Sequence, residues 1–133
     1  MRPVIADTGP LYAAVDRSDA HHARSVQEIE RLGQRGRDVV VPYPVLLEAY
    51  TLVLRRLGNR VAGDWLADLL ASAAWINAEP SDYQTAAALV SRYPDQAITL
   101  VDATIAVLSA RLGGEVWTYD RHFEILRAAV WRP

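Results

Sequence analysis

The sequence contains neither lysine nor cysteine among its 133 residues, and each absence excludes a class of protein. Without cysteine the chain can form neither disulfides nor thiolate metal sites. Without lysine it lacks the phosphate-binding residue of a Walker P-loop, and the lysine that receiver domains place beside their acids. It also has no G-x-S-x-G segment and no H-E-x-x-H segment, which excludes the nucleophile elbow of serine hydrolases and the zincin metal site.

The sequence also has no excess of positive charge and no long hydrophobic run. Its formal net charge is −2, and all 14 basic residues are arginine, which argues against nucleic-acid binding by charge alone. Acidic residues or arginine interrupt every apolar stretch before it reaches membrane-spanning length. The apolar run in the segment MRPVIADTGP is too short for a signal peptide, and an acidic residue follows it too soon. We therefore expect a cytoplasmic protein without membrane contact.

What remains is the composition of an ordinary globular domain, with 51% hydrophobic and 23% charged residues. The length fits one domain over residues 1–133 with a buried core.

Short apolar runs alternate with helical patterns, which indicates a mostly parallel sheet with helices on both faces. Four strands are predicted at 3–6, 38–41, 75–78 and 116–118, with a possible fifth, edge strand at 128–131. Ser18 or Asp19, Ser81 and Thr99 are the predicted N-caps, and Gly58 is predicted to end one helix before another begins at residue 60.

Four acidic residues fall where strands end or helices begin. Asp7 directly follows the first strand, and Asp120 follows the fourth. Glu48 lies in the second turn of the helix after the second strand, and Asp102 lies in the first turn of the helix that Thr99 caps. Because ligands bind outside the carboxyl ends of the strands in such sheets, we expect these four carboxylates to share one site.

Each acid also has a purely structural interpretation. Asp120 can cap its helix, Asp102 can complete a capping box with Thr99, and Asp7 can stabilise a helix N-terminus. Glu48 and Asp102, however, both interrupt apolar runs, where an unpaired carboxylate is costly. Clustered carboxylates repel one another unless a cation binds. Their oxygens suit Mg²⁺ or Mn²⁺, and pairing with arginine is the open alternative.

Four segments carry a resemblance to a known family, in order and over nearly the whole chain: V-I-A-D-T-G-P-L, V-L-L-E-A-Y, I-T-L-V-D-A-T-I-A and W-T-Y-D-R-H-F. Together they resemble PIN domains, and most closely the VapC-type toxins of VapBC toxin–antitoxin systems. The resemblance implies a three-layer α/β/α sandwich and metal-dependent endoribonuclease activity. It implies catalytic roles for Asp7, Glu48, Asp102 and Asp120, metal ligation by Asp7, Asp102 and Asp120, and supporting hydroxyls at Thr8 and Thr118.

The resemblance also implies partners. They are an RNA substrate, a cognate VapB-type antitoxin and a second copy of the chain. An extended segment of the antitoxin is expected to reach the acidic site and offer it an arginine. Four apolar helix residues are predicted to form the homodimer surface: Leu52, Leu66, Leu69 and Leu70.

Several other residues are weaker candidates. Asp95 lies near the acids in sequence, and Arg121 and His122 follow Asp120 closely enough to reach a phosphate, although a solvated helix face is the simpler interpretation. His21 and His22 are adjacent and do not share a helix face, so a joint metal site is not expected. Core packing is favoured over base stacking for the four tryptophans, Trp65, Trp75, Trp117 and Trp131.

Two other functions use the same residues. One is a catalytically inactive PIN-like scaffold or binding module, against which the presence of all four acids argues. The other is a structure-specific DNA nuclease, although the chain is short for the additional arches that such enzymes use. A metal titration separates the scaffold from the enzyme.

Overall fold

The computed structural model describes residues 2–133 and has a four-stranded sheet at its centre. The strand order is β3-β2-β1-β4, and all three neighbouring pairs are parallel. In chain order the elements are β1 (Val4–Ala6), α1 (Thr8–Val15), α2 (His22–Gln34), β2 (Val39–Pro42), α3 (Tyr43–Ser72), β3 (Ala74–Ile76), α4 (Pro80–Ser91), α5 (Leu100–Leu112), β4 (Glu115–Trp117) and α6 (His122–Ile125).

Helices flank this sheet, as the sequence predicted. The central strand β1 is buried along its whole length, which is why it is apolar throughout rather than alternating. Helix α1 packs on both α2 and α3, while α4 packs on α5, which contacts β4. The expectation of a three-layer α/β/α arrangement is confirmed.

Helix α3 is divided at Gly58, whose φ of 88° and ψ of 173° lie in a region that glycine adopts without strain. The predicted helix end at this residue is confirmed. The break lets the second half of α3 fold back, so that Ala62 joins Tyr12 and Val53 in a small second core. Across residues 2–133, even this longest helix is too polar to span a membrane, and no other helix qualifies.

The tryptophans pack in the core, as predicted. Trp117 and Trp131 are buried, and Trp65 and Trp75 are partly buried against the same cluster. They therefore contribute to burying the sheet faces.

The predicted fifth strand is reduced to one bridge between Val116 and Val130. The Val116 N–H donates to the Ala129 carbonyl at 2.7 Å, and the Trp131 N–H donates to the Val116 carbonyl at 2.8 Å. The pairing is limited to this bridge, whereas β1 pairs with all three residues of β4. The sheet therefore has four strands.

Two predicted helix caps are wrong because nearby polar groups compete for the same positions. The Asp19 carboxylate accepts from the His21 N–H at 2.8 Å, so α2 begins at His22. Helix α4 begins at Pro80, before Ser81, because Glu79 forms a capping box with Asp82. The predicted cap at Thr99 is confirmed.

Candidate active site

A cavity of about 690 Å³ opens beside the carboxyl ends of β1 and β4 and is lined by all four acids. That volume is typical of a small-molecule site. Asp7, Glu48, Asp102 and Asp120 come from four separate elements or loops, so the fold alone brings them to one cavity. Thr8 and Arg121 also line it. Asp95 does not, because it lies in an exposed turn.

Asp7 forms the buried floor of the cavity, and Thr118 lies buried next to it; each is only 6% exposed. The Asp7 carboxylate accepts from the Thr8 N–H at 2.8 Å and from the Thr118 hydroxyl at 2.7 Å. The Thr118 oxygen in turn accepts from the Asp120 N–H at 2.9 Å. Thr118 therefore joins the ends of β1 and β4 and fixes the positions of two acids.

Burial is the main electrostatic influence on this floor. It raises the pKa of Asp7 to about 6, against the lowering effect of the hydrogen bonds from Thr118 and Thr8. Burial also raises the pKa of Asp102, and the nearby Asp120 adds to this. Two neighbouring acids that resist ionisation are expected where a cation belongs.

Asp102 and Asp120 have structural roles that coexist with a functional one. Asp102 accepts from the Thr99 N–H at 3.1 Å, and its own N–H donates to the Thr99 hydroxyl at 3.1 Å, so the predicted capping box is present. Asp120 accepts from the His122 N–H at 2.8 Å, just before α6. These bonds orient both carboxylates, and within the described residues each carboxylate keeps one oxygen that accepts no hydrogen bond.

His122 joins these two acids in a group suited to a metal. One ligand atom from each of Asp102, Asp120 and His122 lies within 4.8 Å of the others. The His122 Nδ1 is 3.3 Å from Asp120 Oδ1 and 3.7 Å from Asp102 Oδ2. It is buried and forms no hydrogen bond within residues 2–133. An orphaned nitrogen facing two carboxylates fits a divalent cation.

An exposed helix face was the favoured interpretation of His122, but the residue lines the cavity. Its side chain is 24% exposed. The sequence does carry a signal for it, the Asp-x-His spacing from Asp120, which allows both side chains to face one point. Asp7 is not part of this three-residue group and lies beside it in the floor.

Glu48 lies on the wall that α3 forms, and it is exposed. It interrupts an apolar run because Val45 and Ala49 face the core on either side of it. Residues spaced four apart share a helix face, and Leu52 and Arg56 line the cavity on the same face as Glu48.

Arg56 is a cavity residue that the sequence analysis missed. Its guanidinium lies 5.2 Å from the centre of the Tyr12 ring, and the Tyr12 hydroxyl donates to Asp16. This stacking holds a cation at the cavity wall. The available signal was the spacing of Glu48, Leu52 and Arg56, which follow one another at intervals of four residues.

Arginine pairing does not account for the acidic cluster. In the part of the chain that the structure describes, the arginine ion pairs involve Glu28, Asp82, Glu115 and Glu124. None of the four cavity acids has an arginine partner within that range. The cation that clustered carboxylates require must come from elsewhere.

Comparison with known proteins agrees with this geometry. The family model described as the PIN domain matches residues 4–128. The chain belongs to the PIN domain family. It is 34% identical over 128 residues to Ribonuclease VapC26 of Mycobacterium tuberculosis (strain ATCC 25618 / H37Rv), a match that covers 93% of this chain and 92% of the relative.

Solved structures share the fold. The crystal structure of Mycobacterium tuberculosis VapC20, described as a sarcin–ricin loop cleaving toxin, matches with a TM-score of 0.84 at 24% identity, covering 98% of this chain and 99% of the other. The structure of VapBC2 from Rickettsia felis bound to a DNA fragment from their promoter matches with a TM-score of 0.76 at 14% identity, covering 97% and 96%. At these identities the likeness concerns the fold.

Proposed function

We propose that this PIN domain is a toxin-type endoribonuclease that hydrolyses RNA phosphodiester bonds with Mg²⁺ or Mn²⁺. The observation that carries the proposal is the convergence of Asp7, Glu48, Asp102 and Asp120 on one cavity without an arginine partner among the described residues. The relative named as a ribonuclease, similar over nearly the whole chain, supports RNA as the substrate.

The chain's own groups account for how the substrate is held and activated. A bound divalent ion lowers the pKa of water and neutralises phosphate charge. Asp7, Asp102 and Asp120 would hold it, with Asp7 and Asp120 kept in register by Thr118. Glu48, exposed on the α3 wall, is free to accept a proton from the attacking water.

The phosphate backbone needs positive charge at the rim, since the acids repel it. Arg56 and Arg121 both line the cavity. Each guanidinium can pair with phosphate oxygens flanking the scissile bond. Thr8, whose hydroxyl is buried without a hydrogen-bond partner in the described range, supports the floor beside Asp7.

An endoribonuclease of this kind needs an inhibitor, and we propose a VapB-type antitoxin together with a homodimer. The leucines predicted to form the dimer surface differ in how deeply they are buried. Leu70 is 55% exposed, whereas Leu69 packs on the main core and Leu52 packs on the second core. A dimer surface would therefore use Leu70, and Leu69 and Leu52 would contribute little.

The test is cleavage of RNA by the purified chain. We expect loss of cleavage in chelator and recovery when Mg²⁺ or Mn²⁺ is added back. Cleavage that persists in chelator would exclude metal dependence. Metal binding without cleavage of any RNA would favour the inactive scaffold, and cleavage of DNA alone would favour the DNA nuclease.

A further inference from the structure

His122 presents its Nδ1 atom to two of the acids, and within residues 2–133 this nitrogen forms no hydrogen bond. It is the first residue of α6, and its position is fixed by the backbone hydrogen bond from its N–H to Asp120 Oδ1 at 2.8 Å. The ring thereby faces the cavity side of α6, which it lines together with Asp102 and Asp120.

Hydrogen bonding by the side chain within residues 2–133 does not explain where the Nδ1 atom lies. The Nδ1 atom is buried and without a hydrogen-bond partner, although Asp120 Oδ1 is only 3.3 Å away. At that distance a bond would form if the ring nitrogen pointed at the oxygen. The two atoms are therefore not aligned for a hydrogen bond, and Asp102 Oδ2, at 3.7 Å, is too far to accept one instead.

An ion shared by the three side chains does explain it. Six-coordinate divalent ions hold ligands at about 2.1 Å, so adjacent ligand atoms lie about 3 Å apart. The two separations from Nδ1 exceed this by less than 1 Å, and all three atoms fall within 4.8 Å. Small side-chain movements would bring them to one ion.

We propose that His122 is a nitrogen ligand of the metal site and makes it selective for first-row transition ions such as Mn²⁺ over Mg²⁺. The proposal rests on the proposed function, because it assumes that the acids hold a metal. Mg²⁺ takes oxygen ligands almost entirely, whereas imidazole suits transition ions. A site with one nitrogen therefore discriminates between ions that an all-carboxylate site would bind alike.

Pulsed electron paramagnetic resonance of bound Mn²⁺ tests this without an activity measurement. We expect nitrogen coupling to Mn²⁺ in the wild type and its loss in His122→Gln. The matched control is His21→Gln, because His21 lines the same cavity outside the metal group. That variant should keep the coupling.

Affinity gives a second measurement. The Mn²⁺ dissociation constant should rise at least about tenfold in His122→Gln, the size seen when even an outer-shell partner of a metal ligand is lost. The Mg²⁺ constant should change little. Thermal unfolding in chelator checks that the variant is folded, and if it is not, the wild-type spectrum decides the question alone.

Three results would overturn the proposal. Bound Mn²⁺ without nitrogen coupling in the wild type would remove His122 from the site and leave the proposed function standing. Coupling that survives in His122→Gln would assign the nitrogen to another residue. Failure of Mn²⁺ and Mg²⁺ to bind at all would overturn both the ligand and the proposed function.

Discussion

Asp7 and Asp82 are two buried aspartates with opposite electrostatic surroundings. They are 6% and 4% exposed, and each lies at the N-terminus of a helix. Asp82 accepts from Arg111 Nε at 3.0 Å and Nη2 at 2.8 Å. This pairing holds the pKa of Asp82 below its usual value, whereas burial raises the pKa of Asp7 to about 6.

The difference separates a structural acid from one kept ready for a ligand. At Asp82 the chain supplies the cation itself, and the pair fastens α4 to α5. At Asp7 it supplies only a hydroxyl and an amide, so ionising the carboxylate costs free energy. A shift from 3.8 to about 6 corresponds to roughly 3 kcal/mol. A bound divalent ion would remove that cost.

The largest expected effect is on catalysis. Asp7→Asn should lower kcat/KM for RNA at least about 100-fold, since it removes a charged group from the metal site itself. Asp82→Asn should leave cleavage nearly unchanged at temperatures where it is folded, because Asp82 lies outside the cavity. Equal losses in the two variants would show that Asp7 acts through the fold.

The same pair should differ in how stability depends on pH. In chelator, native Asp7 keeps its proton where the unfolded chain has lost it, so wild-type stability should fall as pH rises from about 4 to about 6. Asp7→Asn should lack this fall and be more stable at pH 7 by up to about 3 kcal/mol. Urea unfolding across this range measures it, with Asp82→Asn, which loses its Arg111 bonds, as the destabilised control. Parallel wild-type and Asp7→Asn curves would exclude the unpaired acid.

Antitoxin binding should also distinguish the cavity acids from Asp82. If the antitoxin inserts an arginine into the acidic cavity, Asp102→Asn and Asp120→Asn should each weaken its binding by about 1–3 kcal/mol. Asp82→Asn should not weaken it, since that carboxylate already has its arginine. Calorimetry at matched salt measures all three. Unchanged affinity in both cavity variants would place the inhibitor outside the acids.

The smallest effect concerns the cation on the cavity wall. Arg56→Ala should raise KM for RNA roughly fivefold, the equivalent of about 1 kcal/mol, and reduce its dependence on salt. Arg55→Ala is the matched control. Arg55 precedes Arg56 in the sequence, and its side chain is exposed and does not line the acidic cavity. If both variants behave alike, Arg56 contributes only general positive charge.

Sequence patterns predicted those parts of the fold that local chemistry determines. The four strands follow from their apolar runs, and the break at Gly58 and the cap at Thr99 follow from single residues. The start of α4 was wrongly placed at Ser81, although the capping box of Glu79 and Asp82 that determines it is local. The bonds from Arg111, 29 positions away, which hold the Asp82 side chain, could not be predicted. The fifth strand is reduced to one bridge, because the apolar run at 128–131 could not show how much of it pairs with β4.

The residues of the candidate site also differ in how far local sequence patterns predict their positions. The acids could be placed because they follow predicted strands or begin predicted helices. The Asp-x-His spacing indicates that His122 lies near Asp120, but its distance to Asp102 depends on tertiary packing that no local pattern encodes. Arg56 depends on its stacking against Tyr12, which likewise exists only in the folded chain.

Calorimetric titration of Mg²⁺ and Mn²⁺ into the wild type, Asp7→Asn and Asp82→Asn examines whether the unpaired acids form a metal site. We expect saturable binding and a raised thermal midpoint in the wild type and in Asp82→Asn. Asp7→Asn should bind both ions far more weakly and gain little stability from them. Equal metal binding in Asp7→Asn, or none in the wild type, would show that the cavity acids were not arranged for a cation.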